Sequence, residues 1–277
     1  MTAGETSLSP ILIVAGSDSG GGAGIQADIK AVTALGGFAM TAVSALTAQN
    51  THGVQEVMDV PPAFVVRQIS AVLEDLGADA VKTGMLPNIG VIEAVADALD
   101  GHAGPVVVDP VMVASSGDRL LRDDAVAAMQ GCLINRAALV TPNMPETEVL
   151  TGRRVETLDD MKFAADLLME AGAAAALVKG GHGREAEVID LLAEQSGFTV
   201  FENPRLASCN THGTGCTLAS ATTTGLGQGL ALKQAVERAI SYVRTAISLA
   251  DPELGQGGNK PLFHGWPLQA GGAGRPD

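Results

Sequence analysis

The sequence predicts an α/β fold with a mostly parallel central sheet and helices on both faces. Two observations predict it. Short continuous apolar runs, such as Ile11–Ala15 and Val106–Val108, recur along the chain, as strands buried on both faces require. Stretches with helical spacing separate them, and strand–helix alternation marks a parallel sheet with covered faces. A hydrophobic fraction of 46% in 277 residues is enough for a sizeable core. No fixed-period repeat and no Pro- or Ser-rich linker interrupts the pattern. A single domain over 1–277 is therefore expected, with disordered tails at 1–8 and 268–277.

Each element follows from its local pattern. Ile11–Ala15 is a strand that enters a glycine-rich loop, Gly16–Gly24. Ile25, Ile29 and Val32 share one face of a helix over Ile25–Leu35, which Gly36-Gly37 ends. Phe38–Leu46 is the next strand, and Val54–Val60 alternates like a half-exposed one. Pro61-Pro62 introduces a helix reaching Leu76. Strands follow at Ala80–Thr83, Val106–Asp109, Ala138–Thr141 and Ala175–Lys179, with helices at Ile89–Leu99, Asp123–Met129, Glu146–Leu150 and Leu158–Ala171 between them. Val188–Ala193 and Phe198–Phe201 pair as a hairpin, and helices over Thr214–Leu226 and Leu232–Ala250 close the fold. Ligands of such sheets bind at the carboxyl ends of the strands, so residues just after each strand matter most.

Composition narrows the function. The net charge is -14 and aromatics are 3%. That argues against nucleic-acid or anionic-membrane surfaces, which need basic patches, and against a base-stacking platform. No run approaches the roughly 18 apolar residues of a membrane span, and Met1–Pro10 lacks the basic start of a signal peptide. Three cysteines without metal spacing read as reduced, which points to the cytoplasm.

Three loops carry the glycines that suggest a site. In Gly16–Gly24, Gly22, Gly24 and Ala27 formally match a dinucleotide fingerprint, but the acidic residue about 20 positions on is missing. The loop reads either as close backbone approach to a ligand or as a tight strand-to-helix turn. Asn210–Cys216 precedes an apolar helix, so Gly213 and Gly215 would leave N–H groups open to an anion. Cys216 falls in the first turn, where a thiolate is favoured, or is a small buried cysteine at a glycine-rich helix entry. Cys132 and Cys209 have no such setting and read as core or strand residues. Lys179, at a strand end beside Gly180 and Gly181, suits a phosphate contact, or is a solvated lysine.

Asp109 ends a buried strand, where it would hold Mg²⁺ or accept a proton. Glu146 opens a helix after Asn143 and suits either a metal or the helix dipole. Gln49 and Asn50 follow a strand and offer amides to a neutral heterocycle, or cap a turn. Met85 reads as core as readily as a ligand wall.

Together these stretches resemble the hydroxymethylpyrimidine/phosphomethylpyrimidine kinases of thiamine biosynthesis, in the ribokinase-like superfamily. The matching segments begin at Ala15 (AGSDSGGGAGIQADIKA), Ser44 (SALTAQNTHGV), Lys82 (KTGML), Val106 (VVVDPVMVASSGD), Leu139 (LVTPNMPETEVLTG), Val178 (VKGGH) and Asn210 (NTHGTGCTLASA). The resemblance implies a three-layer ribokinase-like fold and an ATP- and Mg²⁺-dependent kinase. It would phosphorylate 4-amino-5-hydroxymethyl-2-methylpyrimidine and then the monophosphate. It implies pyrimidine contacts from Gln49, Gly16 and Met85, and ATP contacts from Lys179 and Thr211. Asp109, Asn143 and Glu146 would organise Mg²⁺. Gly213 and Gly215 would form the anion hole, with Cys216 where sugar kinases of the superfamily place an aspartate base. Its expected partners are the pyrimidine and ATP, in a cytoplasmic homodimer without nucleic acid or membrane. Ser115 and the stretch Gly255–Lys260 depart from the family pattern. A pyridoxal kinase of the same fold and a non-catalytic pyrimidine sensor are the alternatives.

Overall fold

The computed structural model describes residues 8–112, 125–181 and 186–270. These build a nine-stranded sheet, β1 (Ser9–Asp18), β2 (Gly37–Asn50), β3 (Gly53–Asp59), β4 (Ala80–Thr83), β5 (Val106–Val108), β6 (Leu139–Val140), β7 (Ala176–Val178), β8 (Glu187–Glu194) and β9 (Gly197–Pro204). The spatial order is β3-β2-β1-β4-β5-β6-β7-β8-β9. Pairing is parallel from β2 through β7, and antiparallel for β3 and for the β8–β9 hairpin. The order reverses at β1, which has β2 on one side and β4 on the other. That switch point opens a crevice beyond the carboxyl ends of the strands.

The helices are α1 (Gly24–Ala34), α2 (Pro62–Asp75), α3 (Ile89–Ala98), α4 (Ala125–Ala128), α5 (Met144–Thr151), α6 (Leu158–Glu170), α7 (Thr214–Gly227), α8 (Leu232–Ser248) and α9 (Trp266–Ala270). Strand alternation divides them between two faces. Val106 and Val108 join the core under α2, α3 and α6, while Val107 joins the one under α7 and α8. Helix α8 buries Ala235, Val236, Ala239, Ile240, Val243 and Ala246 at helical spacing. Helix α7 is buried from Thr217 to Gly225. It tolerates three consecutive threonines because Thr222, Thr223 and Thr224 donate to carbonyls four residues back, at 2.9, 2.7 and 2.8 Å. Among the described residues, no helix is long and apolar enough to cross a membrane.

The structure corrects several boundaries. Strand β1 runs on to Asp18, so Gly16 and Ser17 belong to the strand. Strand β2 runs on to Asn50, because β3 pairs with it past a bulge at Ala48/Gln49. Gln49 and Asn50 are therefore hairpin residues rather than a free loop. The helix expected to stop at Met129 continues as a wide turn, Met129–Leu133. The tail expected from 268 begins inside α9, whose Trp266 ring lies 6.0 Å from that of Tyr242. Cys132 packs against the core as expected, but Cys209 is exposed in a bend. The expected tail positions 1–7 and 271–277, Ser115 with its neighbours 113–118, residues 123–124 and His182 lie outside the described residues.

Candidate active site

A cavity of about 680 Å³ lies along the strand ends. One end is built by β1, β2 and the turn after β4. Gly16, Gln49 and Met85 all line it. Gly16 is in close contact with Met85, since a Cβ there would lie 3.0 Å from Met85 Sδ, which would have to give way. Met85 is fixed from behind, where buried Ser44 Oγ donates to its carbonyl at 2.6 Å. The Gln49 amide is oriented by Thr47 Oγ1, which donates to Oε1 at 3.1 Å, and Nε2 lies 3.5 Å from His212 Nε2.

The other end gathers the charged groups. Asp109 follows β5 and is 1% exposed. Its Oδ1 accepts from Thr141 Oγ1 at 3.1 Å and from Lys179 Nζ at 2.9 Å. Burial raises Asp109, but Lys179 and Lys82 outweigh it and hold the carboxyl below its ordinary range. Lys179 is held above the ordinary lysine range, where Asp109 and Glu146 overcome its burial. Its backbone N–H donates to Pro142 O at 2.9 Å, which carries β7 alongside the Asn143 turn.

Asn143 and Glu146 form a capping box on α5. Asn143 Oδ1 accepts from Glu146 N at 2.9 Å, and Glu146 Oε2 accepts from Asn143 N at 2.8 Å. The helix-start reading of Glu146 is met by this cap, and the residue also lines the cavity. Burial pushes its carboxyl up to about 7, with Lys179 pulling the other way.

Helix α7 starts between these ends. Gly213 is its N-cap at φ +84° and ψ 10°. The first turn leaves the amides of Gly215 and Cys216 without an intrahelical carbonyl, facing the cavity with the positive end of the helix dipole. A Cβ at Gly215 would lie 3.2 Å from Lys179 Nζ and 4.0 Å from Asp109 Oδ2, so helix start, cation and carboxylate converge. Exposed Thr211 also lines the cavity. The expectation of a favoured thiolate at Cys216 is corrected. Burial pushes the thiol up to about 12, so it is protonated at neutral pH.

Sequence reasoning missed several groups in or beside the cavity, Arg205 and Arg244 among them. Asp18 accepts backbone N–H bonds from Gly20 at 2.8 Å, Gly22 at 3.0 Å and Ala23 at 2.8 Å, and contacts His212 Nε2 at 2.9 Å. Those loop amides are thus spent on Asp18, and the first glycine loop is not an open phosphate cradle. Lys82 lines the cavity and pairs with buried Asp28. Asp190 accepts from Gly180 N at 3.0 Å. A charged residue set in an apolar run singles out Lys82 after Val81, and Asp190 between Ile189 and Leu191. Nothing local marks Asp18 or His212.

Among solved structures, the pyridoxal kinase of Staphylococcus aureus in complex with AMP-PCP and pyridoxal matches with a TM-score of 0.85. Its identity is 31%, and the match covers 94% of each chain. The fold and the cavity together define a kinase of the ribokinase-like class. A phosphomethylpyrimidine kinase family model matches residues 18–262, and the chain belongs to that family. It is 47% identical over 261 residues to the hydroxymethylpyrimidine/phosphomethylpyrimidine kinase of Bacillus subtilis, covering 93% of this chain and 95% of that protein. It is 50% identical over 255 residues to the thiamine biosynthesis bifunctional protein ThiED of Geobacter sulfurreducens. That match covers 92% of this chain and 52% of ThiED, so the chain spans about half of that relative's length.

Proposed function

We propose that the chain transfers the γ-phosphoryl group of ATP to 4-amino-5-hydroxymethyl-2-methylpyrimidine, and then a second phosphoryl group to the monophosphate. One observation carries this reading. A single cavity joins the pocket around the oriented Gln49 amide to Lys179, the Asp109 and Glu146 carboxylates and a helix N-terminus. The two ends match the two substrates, a neutral heterocycle and a polyphosphate.

In this reading Gln49 pairs with the aminopyrimidine edge, between Gly16 and Met85. Gly213 and Gly215 shape the anion hole for the phosphoryl group in transfer. Lys179 and Thr211 meet the ATP phosphates. The Asp109 and Glu146 carboxylates are hard oxygen donors of the number that Mg²⁺ uses alongside substrate phosphates, and Asn143 orients Glu146. Among the described residues no three His, Cys, Asp or Glu side chains cluster for a metal, which fits a site completed by substrate oxygens. Bound Mg²⁺ would neutralise phosphate charge. Cys216 lines the cavity beside this anion hole.

The continuous sheet supports a single ribokinase-like domain. Three free cysteines suit a cytoplasmic protein. The charge of -14 argues against nucleic acid and anionic membranes. Exposed Leu46 and Met58, paired in register at the β2–β3 edge, support a homodimer.

Phosphorus NMR of the protein with Mg·ATP and the hydroxymethyl pyrimidine tests the reading. A monophosphate followed by a diphosphate is expected. Faster transfer to pyridoxal offered alongside would overturn the substrate assignment. Replacing Gln49 with alanine is expected to raise KM for the pyrimidine about tenfold or more, the loss of a buried polar contact, with kcat little changed. Steady-state kinetics at saturating ATP measure this, and an unchanged KM would remove Gln49 from the pocket contacts.

A further inference from the structure

The segment after α8 carries groups that the site assigned above leaves unused, and it grips the turn before α7. His212 N–H donates to Lys260 O at 3.0 Å, and Lys260 N–H donates to Cys209 O at 2.9 Å. Buried Asn210 ties the same turn to Asp251 O at 2.9 Å and to Pro261 O at 3.0 Å through its Nδ2. Earlier in the segment, Gly257 N–H donates to Thr51 Oγ1 at 3.0 Å, and a Cβ at Gly257 would overlap Thr51 O. Residues 257–264 therefore reach from the β2–β3 turn, next to Gln49 and Asn50, to the start of α7.

His264 ends this span. It is buried, and its Nε2 lies 2.9 Å from the buried Thr217 Oγ1 on α7. Thr217 Oγ1 lies 2.7 Å from Gly213 O, four residues back. Thr222, Thr223 and Thr224 on the same helix all donate to carbonyls four residues back. Thr217 does the same, so its single hydrogen is committed to Gly213 O. Its oxygen is left to accept, and the hydrogen of the outer bond sits on His264 Nε2. A relay thus runs from His264 Nε2–H to Thr217 Oγ1, and from Thr217 O–H to Gly213 O. Gly213 O also accepts from Thr217 N–H at 2.9 Å. His264 is itself held by α8, where Tyr242 O–H donates to its carbonyl at 2.8 Å and Ala246 O accepts from Phe263 N–H at 3.0 Å.

The relay ends on the peptide that most needs fixing. Gly213 sits at φ +84°, and a glycine turns its own peptide more freely than any other residue. The Gly213 carbonyl shares a rigid plane with the Thr214 N–H. Its direction therefore sets how α7 starts and where the Gly215 and Cys216 amides point. An anion hole works only while its donors are held in place before the charge arrives.

We propose that His264 is a positioning residue for phosphoryl transfer, acting through the Thr217 hydroxyl on the Gly213 carbonyl to hold the first turn of α7 against the phosphoryl group. His264 lies outside the cavity wall, so it acts on the rate and not on the binding of either substrate. The inference rests on the kinase reading above, in which this turn forms the anion hole.

Steady-state kinetics with Mg·ATP and both acceptors test it. His264→Phe keeps a flat ring but loses the N–H. It is expected to lower kcat about tenfold or more in both phosphorylations, with KM for ATP and for either acceptor within about threefold of the parent. His264→Gln puts an amide N–H where Nε2 stood and should recover most of the rate. Packing alone predicts the reverse order, since phenylalanine fills the space better than glutamine. Thr217→Val removes the middle of the relay, and its combination with His264→Phe should lose no more than the slower single variant. A parent rate in His264→Phe, a glutamine variant as slow as the phenylalanine one, or losses that multiply in the pair would each overturn the proposal. Should His264→Phe not fold, Thr217→Val and Thr217→Ser carry the same comparison. The valine variant should be slow and the serine variant near the parent, and equal rates would overturn the proposal. A parent protein that phosphorylates neither compound would bring down the kinase reading and this inference together. An overturning result beside an active parent removes this inference alone.

Discussion

Replacing Asp109 with alanine is expected to lower kcat by about three orders of magnitude in both phosphorylation steps. The carboxylate is wholly enclosed and its Oδ1 is committed to Thr141 and Lys179, while Oδ2 faces the start of α7. Its removal strips a hard oxygen donor from the metal site. It also leaves the Lys179 ammonium without its nearest counter-charge, so the cation that should meet the phosphates loses its position. A chain with a net charge of -14 depends on such local arrangements to hold ATP. Asp109→Asn keeps the volume and an acceptor for Thr141 but not the charge, and a similar fall is expected. Both acceptors should be affected, because both reactions move the same γ-phosphoryl group. Steady-state ADP release with the pyrimidine and its monophosphate checks this. A variant within tenfold of the parent would remove Asp109 from the metal site.

Much of this arrangement was legible in the chain, for identifiable reasons. Strands such as Val106–Val108 announce themselves because a strand buried on both faces must be apolar throughout. Asp109 stands out against that background. The positions of Lys179 and Glu146 followed from the rule that strand ends carry the site, and the Gly213–Cys216 turn from glycines at a helix start. What stayed hidden depends on contacts distant in sequence. The end of β2 is set by pairing with β3, so Gln49 was placed just beyond an element it belongs to. Asp18 and His212 meet across 194 positions. Cys216 shows the same limit in its chemistry. A helix N-terminus favours a thiolate, but enclosure between α1 and β4 outweighs it, and no local pattern records that enclosure. Cys209 was misplaced for the opposite reason, because its exposed bend has no distinctive composition.

The second large effect is expected from Gly213→Ala. Gly213 adopts φ +84°, a conformation that costs an L-residue about 1–2 kcal/mol. The new Cβ would also collide with the Gly22 carbonyl oxygen, and would stand 2.8 Å from its carbon and 3.0 Å from Ala23 Cα. These are backbone atoms of a loop pinned by the Asp18 carboxylate, so they cannot swing aside as a side chain can. Either the loop or the start of α7 must move. The first movement disturbs the pocket next to Gly16, and the second re-aims the amides of Gly215 and Cys216. A lower melting temperature is expected, together with a kcat reduced about a hundredfold or more, the scale of losing an oxyanion donor. Gly215→Ala is the informative contrast. Its Cβ meets the far end of Lys179, which can yield, so it should fold like the parent and lose less activity. Thermal melts and phosphoryl-transfer rates on both variants make the comparison. If Gly213→Ala keeps the parent rate, the start of α7 does not hold the phosphoryl group. Lys179 and the Asp109–Glu146 pair would then have to carry transition-state stabilisation alone.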